Sequence, residues 1–568
     1  MTTTARPDTE QAAPTRSRLV IVGNGMSGAR ALEEILARGG GDQFAITVFG
    51  DEPYGNYNRI MLSEVLATAA TEDRGEDDEL YLNPLDWYAD NGITLHAGVR
   101  IVRIDRDAEV VLGDDGSVTP YDTLVLATGS RSFFPPMEGL WASKTELTRG
   151  VFGFRSLDDA SAMLEHVAKA PSGGGRRRAV VVGAGLLGLE AAAGLQAHGV
   201  AVHVVHPTEV LMNQQLEAEA STVLRDKLEQ RGLHLHLGVR TDEVLVQDGA
   251  VAGVRFTDGS DLACDMVVVT AGIRPNVGLA RVSGLETQHA IVVDDRMRSV
   301  DDDSIFVVGE CAQHRGEVYG LVGPLWEQAA VLADVVTGAN PDAEYHGSRP
   351  ATKLKVAGVD VAQMGVKTPE RSSDEVVRFS ETGRGVHQTL VIRDGTLIGA
   401  TLVGDVSRVA ALTQAFDSRS ALPAERIKLL VDIGPADHGS AAADLPDSTR
   451  ICHCNRVSKG DLVACVEGGA ESVATCTAAT RAGTGCGSCR DLVTEVVTAA
   501  LDEAGRRGPA DSSSVPGTPP DAPTPMQVSG GAASPAPLRV EGVVADLGVR
   551  VQEAVDAPGE PWPAGRRR

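Results

Sequence analysis

Leu19-Val20-Ile21-Val22-Gly23-Asn24-Gly25-Met26-Ser27-Gly28 and, 160 residues on, Ala179-Val180-Val181-Val182-Gly183-Ala184-Gly185-Leu186-Leu187-Gly188 repeat one pattern: four apolar residues, then G-x-G-x-x-G. A glycine triplet alone is weak evidence; a strand before it, a helix after it and an acid at the end of the next strand make it a dinucleotide fingerprint. The first copy has all three. Val20–Val22 reads as a strand and Ala29–Ala37 as a helix, and the strand Ala45-Ile46-Thr47-Val48-Phe49-Gly50 ends at Asp51, 23 residues past Gly28. Gly23 permits the tight turn, Gly25 lets backbone approach a pyrophosphate, and Gly28 allows close helix–strand packing. The helix N-terminus stabilises phosphate charge, and Asp51 can accept from ribose hydroxyls. An ordinary glycine-rich turn would not bring these supports together.

The second copy has the same strand and helix, but its second strand, Val200–Val205, ends at His206. An acid there would hold the ribose of NADH; an arginine would hold the phosphate of NADPH. His206-Pro207-Thr208-Glu209 offers neither clearly, so the nucleotide preference stays open. Glu190, just inside the helix, can be read simply as a helix-start acid. Two such sites in one chain suggest a flavin beside a nicotinamide.

A chain of 568 residues exceeds one hydrophobic core and implies three to four domains. Its net charge of −26 disfavours nucleic acid and anionic membranes as partners, although a solvated acidic surface needs no partner. The run Glu72–Glu79 reads as an exposed loop. There is neither an apolar run long enough to span a membrane nor a signal-peptide core, so a cytoplasmic location is expected. In that compartment the eight cysteines are ligands or thiols rather than disulfides.

Residues 1–17 read as a disordered leader and 508–568, rich in Pro, Ser, Gly and Ala, as a mostly disordered tail. Between them apolar strands alternate with helices. Gly173–Arg178 is a loop before the second fingerprint, and Pro435–Asp447 resembles a linker. Val386–Val403 alternates about Asp394-Gly395, a hairpin signature in a smaller α+β domain.

Three further stretches narrow the family. Thr123–Ser130, containing Ala127-Thr128-Gly129, looks like the ATG motif of two-dinucleotide flavoprotein reductases. Ala271–Asn276 resembles their second crossover segment, and Ile305–Glu310 their last FAD motif, with Glu310 where most members carry Asp. Asn56–Ser63, Leu211–Leu216, Gly309–Ala312, Tyr319–Val322 and Thr352–Val359 are similar to segments of NAD(P)H nitrite reductase large subunits. The resemblance covers roughly residues 18–500. It implies an α/β fold of tandem Rossmann-like domains: FAD-binding over 18–150 and 271–345, NAD(P)H-binding over 151–270. A small α+β domain over 350–432 and a helical module over 449–504 would follow. FAD would be held by Gly23, Gly25, Gly28, Asp51, Arg59, Thr128, Gly129, Gly309 and Glu310, with Gln328 in a segment, Leu325–Gln328, beside the flavin ring. Gly183, Gly185, Gly188, Glu190 and His206 would line the nicotinamide site, and Gly272 the crossover. No side chain need act as acid or base.

Many such reductases use a cysteine pair beside the flavin, near residues 55–65, where this chain has none. Cys264 and Cys311 are isolated, small buried residues or surface thiols. Electrons must leave elsewhere. Cys452 and Cys454 are separated by one residue, Cys486 and Cys489 by two, and 31 residues lie between the pairs. Four thiolates can hold Zn²⁺ or a 2Fe-2S cluster. The arrangement resembles the bacterioferritin-associated ferredoxin-like (BFD-like) module, which binds 2Fe-2S and follows the flavin domains in nitrite reductase large subunits. Cys465, Cys476 and His453 are not ligands in that pattern.

The resemblance thus implies an NAD(P)H-dependent FAD/2Fe-2S oxidoreductase, without the sirohaem and 4Fe-4S domain into which nitrite reductase large subunits continue. Its implied partners are a nicotinamide nucleotide and a protein electron acceptor, a nitrate or nitrite reductase of nitrate assimilation, as in the electron-transfer subunit of assimilatory nitrate reductase. The competing reading is a stand-alone flavin oxidase, diaphorase or rubredoxin-type reductase with a structural zinc module.

Overall fold

The structure, a computed structural model, describes residues 16–68, 80–169, 177–349, 351–431, 445–452, 455–485, 487 and 489–507. The tail, nearly all of the leader, the acidic run from residue 72, most of the glycine-arginine loop and of the linker, His453, Cys454 and Cys486 lie outside them. Among the described residues no helix is long and apolar enough to cross a membrane.

Two sheets carry the two fingerprints. In the first, an eight-stranded sheet, Ser17–Val22 lies between Phe44–Gly50 and Thr123–Leu126, and Asp302–Val307 continues the parallel run. Leu19, Val20, Ile21 and Val22 are all buried, which explains a continuous apolar run: helices cover both faces of such a sheet. The second sheet is fully parallel, in the order Val151–Phe152, Met266–Val269, Arg178–Val182, Ala201–His206, His234–Leu237.

The second unit hangs from the first by a neck of two strands. Ser130–Ser132 leads out, Ile273–Pro275 returns, and the two pair antiparallel. Thr128 Oγ1 donates to the Asn276 carbonyl (3.0 Å), and Asn276 Nδ2 donates to the Thr128 carbonyl (2.8 Å).

A third, antiparallel sheet of five strands begins at Ala351–Val356. Within it Val386–Arg393 and Thr396–Val403 form the expected hairpin. Asp394 and Gly395 both have positive φ (51° and 74°), as a two-residue turn with the twist of its strands requires. The cysteine module consists of a short hairpin, Arg450–Cys452 with Val457–Ser458, and helices Lys459–Glu467, Val473–Thr480 and Arg490–Arg507. Ser458 and Asp461 cap the first of these reciprocally.

The cores do not respect chain order. Leu62, Val65, Leu66 and Leu80, from the first segment, are buried with Leu189, Ala191 and Leu195 of the second unit. Helix Leu62–Ala67 lies against helix Leu186–Ala197 because Gly194 leaves room: a Cβ there would stand 2.9 Å from Leu66 Cγ. Leu66→Ala is expected to cost about 2–5 kcal/mol. Gly194→Ala should cost about 1–3 kcal/mol of overpacking, less roughly 1 kcal/mol gained in helix propensity. The double variant should be more stable than the sum of the two, because the new methyl fills the void. Urea midpoints of the four proteins measure the coupling; strict additivity would show that the helices do not meet there.

Candidate functional site

The loop ends of the first sheet, the start of helix Val322–Thr337 and the cysteine module enclose a cavity of about 640 Å³. Its walls include Gly23, Gly25, Asp51, Arg59, Thr128, Gly129 and Glu310, as well as Glu190 from the second unit. Cys489 lines the same cavity, with Ile451, Asp491 and Leu492 of its module. Gly28, Gly183, Gly185, Gly188, His206, Gly272, Gly309 and Gln328 do not line it.

The glycines divide into two kinds. A Cβ on Gly23 (φ +114°) would overlap the Ala127 carbonyl, and one on Gly28 would overlap the Gly23 carbonyl. Gly183 (φ +121°) and Gly188 repeat this with Thr270 and Gly183. Those four glycines are required by the chain's own packing. Gly25 and Gly185 are not: both have ordinary extended backbone, and a Cβ would meet nothing nearer than Arg59 Nε at 3.9 Å for Gly25, and nothing within 4 Å for Gly185. Each caps the N-terminus of its helix without a side-chain hydrogen bond. The open cradle against helix N–H groups is what a pyrophosphate needs. Beside the first cradle, Asn24 Oδ1 accepts from Tyr88 (2.7 Å), while its buried Nδ2 has no partner among the described residues.

Two of the cavity's arginines are paired with acids. Arg59 forms an ion pair with Glu52 and donates to the Arg155 carbonyl (3.0 Å); the Tyr57 hydroxyl also donates to Glu52 (2.8 Å). Arg155 in turn pairs with Glu310, which also accepts from Ser130. Asp51 is exposed at the rim. Glu52, Arg155, Ser130 and Asn24 escape the sequence reading. Glu52 adjoins a motif acid and Asn24 sits inside the fingerprint, so both had a local signal; Arg155 has none. Gln328 is wholly buried and acts from below, its Oε1 accepting from the Gly309 N–H (3.1 Å). Gly272 has φ +112° at the returning neck.

In the second fingerprint Ala184 N–H donates to His206 Nδ1 (3.2 Å), and burial holds the imidazole pKa below its usual value. Glu190 is the fifth residue of helix Leu186–Ala197, past its first turn, and so is not the helix-start acid that the sequence suggested; burial pushes it up to about 7, with Glu64 adding to the shift. Cys264 and Cys311 are both buried, and burial raises both thiols: neither is a poised nucleophile.

Of the four cluster cysteines, Cys452 and Cys489 are described, and both are buried. Cys452 Sγ accepts from the Asn455 N–H (3.5 Å). Cys476 is buried in the module's core, its thiol raised to about 11 by burial and by its hydrogen bond with Cys465. Leu325 and Trp326, from the helix over the cavity, are buried in that same core. Polar contacts complete the docking. Arg481 makes a two-pronged pair with Glu33 (2.8 and 3.1 Å), Asn58 Nδ2 donates to the Gly485 carbonyl (2.8 Å), and Arg30 donates to Asn455 (3.2 Å).

Comparison with known proteins agrees with this architecture. The profile "pyridine nucleotide-disulphide oxidoreductase" matches residues 17–330, "rubredoxin NAD+ reductase C-terminal domain" 350–420, and "BFD-like 2Fe-2S binding domain" 450–499. The chain is 39% identical over 486 residues to nitrite reductase (NAD(P)H) of Bacillus subtilis, and 37% identical over 491 residues to the assimilatory nitrate reductase electron transfer subunit of the same organism. Each alignment covers 85% of this chain but only 57% and 59% of the relative. The crystal structure of a ferredoxin reductase from Rhodopseudomonas palustris matches with a TM-score of 0.62 at 26% identity, over 72% of this chain and 98% of that one. The two-fingerprint body accordingly binds FAD and NAD(P)H, and the C-terminal module a 2Fe-2S cluster.

The open cradles give a test. Gly25→Ala should fold with an unchanged thermal midpoint in the flavin-free state yet lose FAD on gel filtration. Gly185→Ala should keep FAD and raise the nucleotide KM about tenfold, the loss of roughly 1.4 kcal/mol of binding. Gly23→Ala, by contrast, should lower the thermal midpoint of the flavin-free protein as well.

Proposed function

We propose, from the premise that this chain belongs to the pyridine nucleotide-disulphide oxidoreductase family, that it passes electrons from NAD(P)H, by way of FAD and a 2Fe-2S cluster, to a partner nitrate or nitrite reductase in nitrate assimilation. One observation carries the reading: Cys489 and the first fingerprint wall the same cavity. FAD takes up a hydride from a nicotinamide as a two-electron unit, and a 2Fe-2S cluster carries electrons singly; the polypeptide supplies position and electrostatics.

This chain's residues divide that work. Gly25 and Gly185 would admit the two pyrophosphates to their helix N-termini. Arg59 and Arg155, each neutralised by a carboxylate, would shape the flavin cavity without leaving it strongly charged. Glu33, Asn58 and Arg30 would hold the cysteine module against it. The names of the two Bacillus relatives support the nitrogen-oxyanion context, and the module match supports the cluster.

Cys489→Ser is expected to abolish the iron–sulfur absorbance and reduction of a protein acceptor, while NAD(P)H still reduces a dye at the flavin. Equal loss of dye and protein-acceptor reduction would put the carriers in a different order.

Glu190 gives a pH dependence. A carboxyl whose folded-state pKa is raised contributes stability that is fully present below its unfolded value of 4.5 and lost as pH rises through about 7. Above that pH the native state carries a buried carboxylate in the nucleotide's path. Flavin reduction by NAD(P)H should therefore slow as pH rises through about 7, and Glu190→Gln should flatten both that profile and the thermal midpoint's dependence over the same range. An unchanged profile in the variant would assign the titration to another group.

A further inference from the structure

Strand alternation puts three histidines on one face of the second sheet. In His234-Leu235-His236-Leu237 the leucines pack against the core that holds Leu189 and Val204, so the histidines point the other way. On the neighbouring strand Val202 and Val204 share that core, which leaves His203 on the histidine face. The pairing is parallel, with His203 opposite His234 and Val205 opposite His236.

The rings meet. His203 Nδ1 stands 3.0 Å from His236 Nε2, and the His203 and His234 rings stack with centroids 4.7 Å apart. Phe256 stacks on His236 at 6.0 Å. Two facing ring nitrogens at this distance share one proton. The same pair fits a metal ion: imidazole nitrogens at about 2.0–2.1 Å from a tetrahedral zinc stand roughly 3.3 Å apart. On binding, the shared proton moves to the far nitrogen of its own ring, and both facing lone pairs go to the metal.

His234 supplies a third donor. Its ring lies 21° from parallel with His203, so its lone pairs run beside those of His203 and it must turn to join. It is exposed, and the turn is a change of rotamer. Burial, with His234, His236 and Arg178 adding, holds His203 down to about 4; burial, with His234 adding, holds His236 below its usual value. Neutral imidazole is the form that binds metal. Arg178 directs its guanidinium to the Ala263 carbonyl (2.9 Å).

We propose that His203, His234 and His236 form a binding site for a divalent transition-metal ion, zinc above all, with water in the fourth position. Three imidazoles suit Zn²⁺, Ni²⁺ or Cu²⁺, whereas Mg²⁺ and Ca²⁺ take oxygen ligands. The ion would tie the edge strand His234–Leu237 to Ala201–His206. This site is separate from the electron-transfer reading and does not depend on it.

The test uses the untagged full chain with flavin and cluster in place, titrated with ZnCl₂ by calorimetry. One equivalent should bind with a Kd of about 1 μM or tighter. A residue that only orients a ligand is worth about 10–100-fold in metal affinity, so His203→Gln, His236→Gln and His234→Ala should each weaken binding by at least about tenfold. Zn²⁺ should raise the thermal midpoint of the parent and not of these variants. Cu²⁺ in the site should show nitrogen hyperfine splitting in its electron paramagnetic resonance spectrum. Dye reduction by NAD(P)H should persist in all three variants and reports that they fold; His234→Ala alters only an exposed side chain. His346→Ala is the control, because Asp295, Glu344 and His346 form another group of potential ligands. Its affinity for Zn²⁺ should equal the parent's. Absence of binding, unchanged affinity in any of the three variants, a copper spectrum without nitrogen splitting, or loss of binding in His346→Ala would overturn the proposal.

Discussion

The carbonyl oxygens of Ala127 and Thr270 lie where side chains on Gly23 and Gly183 would begin. That close approach fixes the rest of the site. Each first glycine must turn at positive φ directly against the neighbouring strand, and the turn aims a helix N-terminus at the strand end. With the turn so fixed, the middle glycine of each triplet is left over open space. The same short sequence therefore contains two different demands: the outer glycines serve the protein's own packing, and the middle one keeps room for something the protein does not supply.

Local grammar accounts for what could be read from sequence. The fingerprints, the Asp394-Gly395 turn and the neck at Ala271–Asn276 are each decided by residues adjacent in the chain. Contacts between distant segments leave no such signature. Nothing in Leu62–Leu66 announces that it packs against Gly194, and nothing around Arg155 marks it as the partner of Glu310. The spacing of the four cysteines resembles a known module, but its place beside the cavity depends on Glu33, Asn58 and Trp326, more than a hundred residues from any of them. His206 is a middle case. As an absent acid it left the nucleotide undecided, and only the hydrogen bond from Ala184 assigns its proton.

The net charge of −26 is poor preparation for a site meant to accept anionic nucleotides. The structure resolves this locally. Two of the arginines that line the cavity are each matched to one acid, Arg59 to Glu52 and Arg155 to Glu310. Both pairs are largely buried, so desolvation offsets much of their attraction, yet they fix the positions of their guanidinium groups. A phosphate can then find helix N–H groups and oriented cations in a protein whose surface would otherwise repel it.

The cavity is composite, and this has thermodynamic weight. Its walls come from the first unit, from Glu190 of the second, from Thr352 and Lys353 of the third and from Cys489 of the module. A ligand that touches all four stabilises their assembly in proportion to its binding, because the separated units offer no comparable site. The Arg155–Glu310 pair strengthens this link: Arg155 lies on the segment that enters the second unit, and Glu310 on the segment after the chain's return. Anything that shifts the second unit about its two-strand neck must move one member of that pair against the other. Docking of the second unit and the charge balance of the cavity are therefore a single mechanical variable.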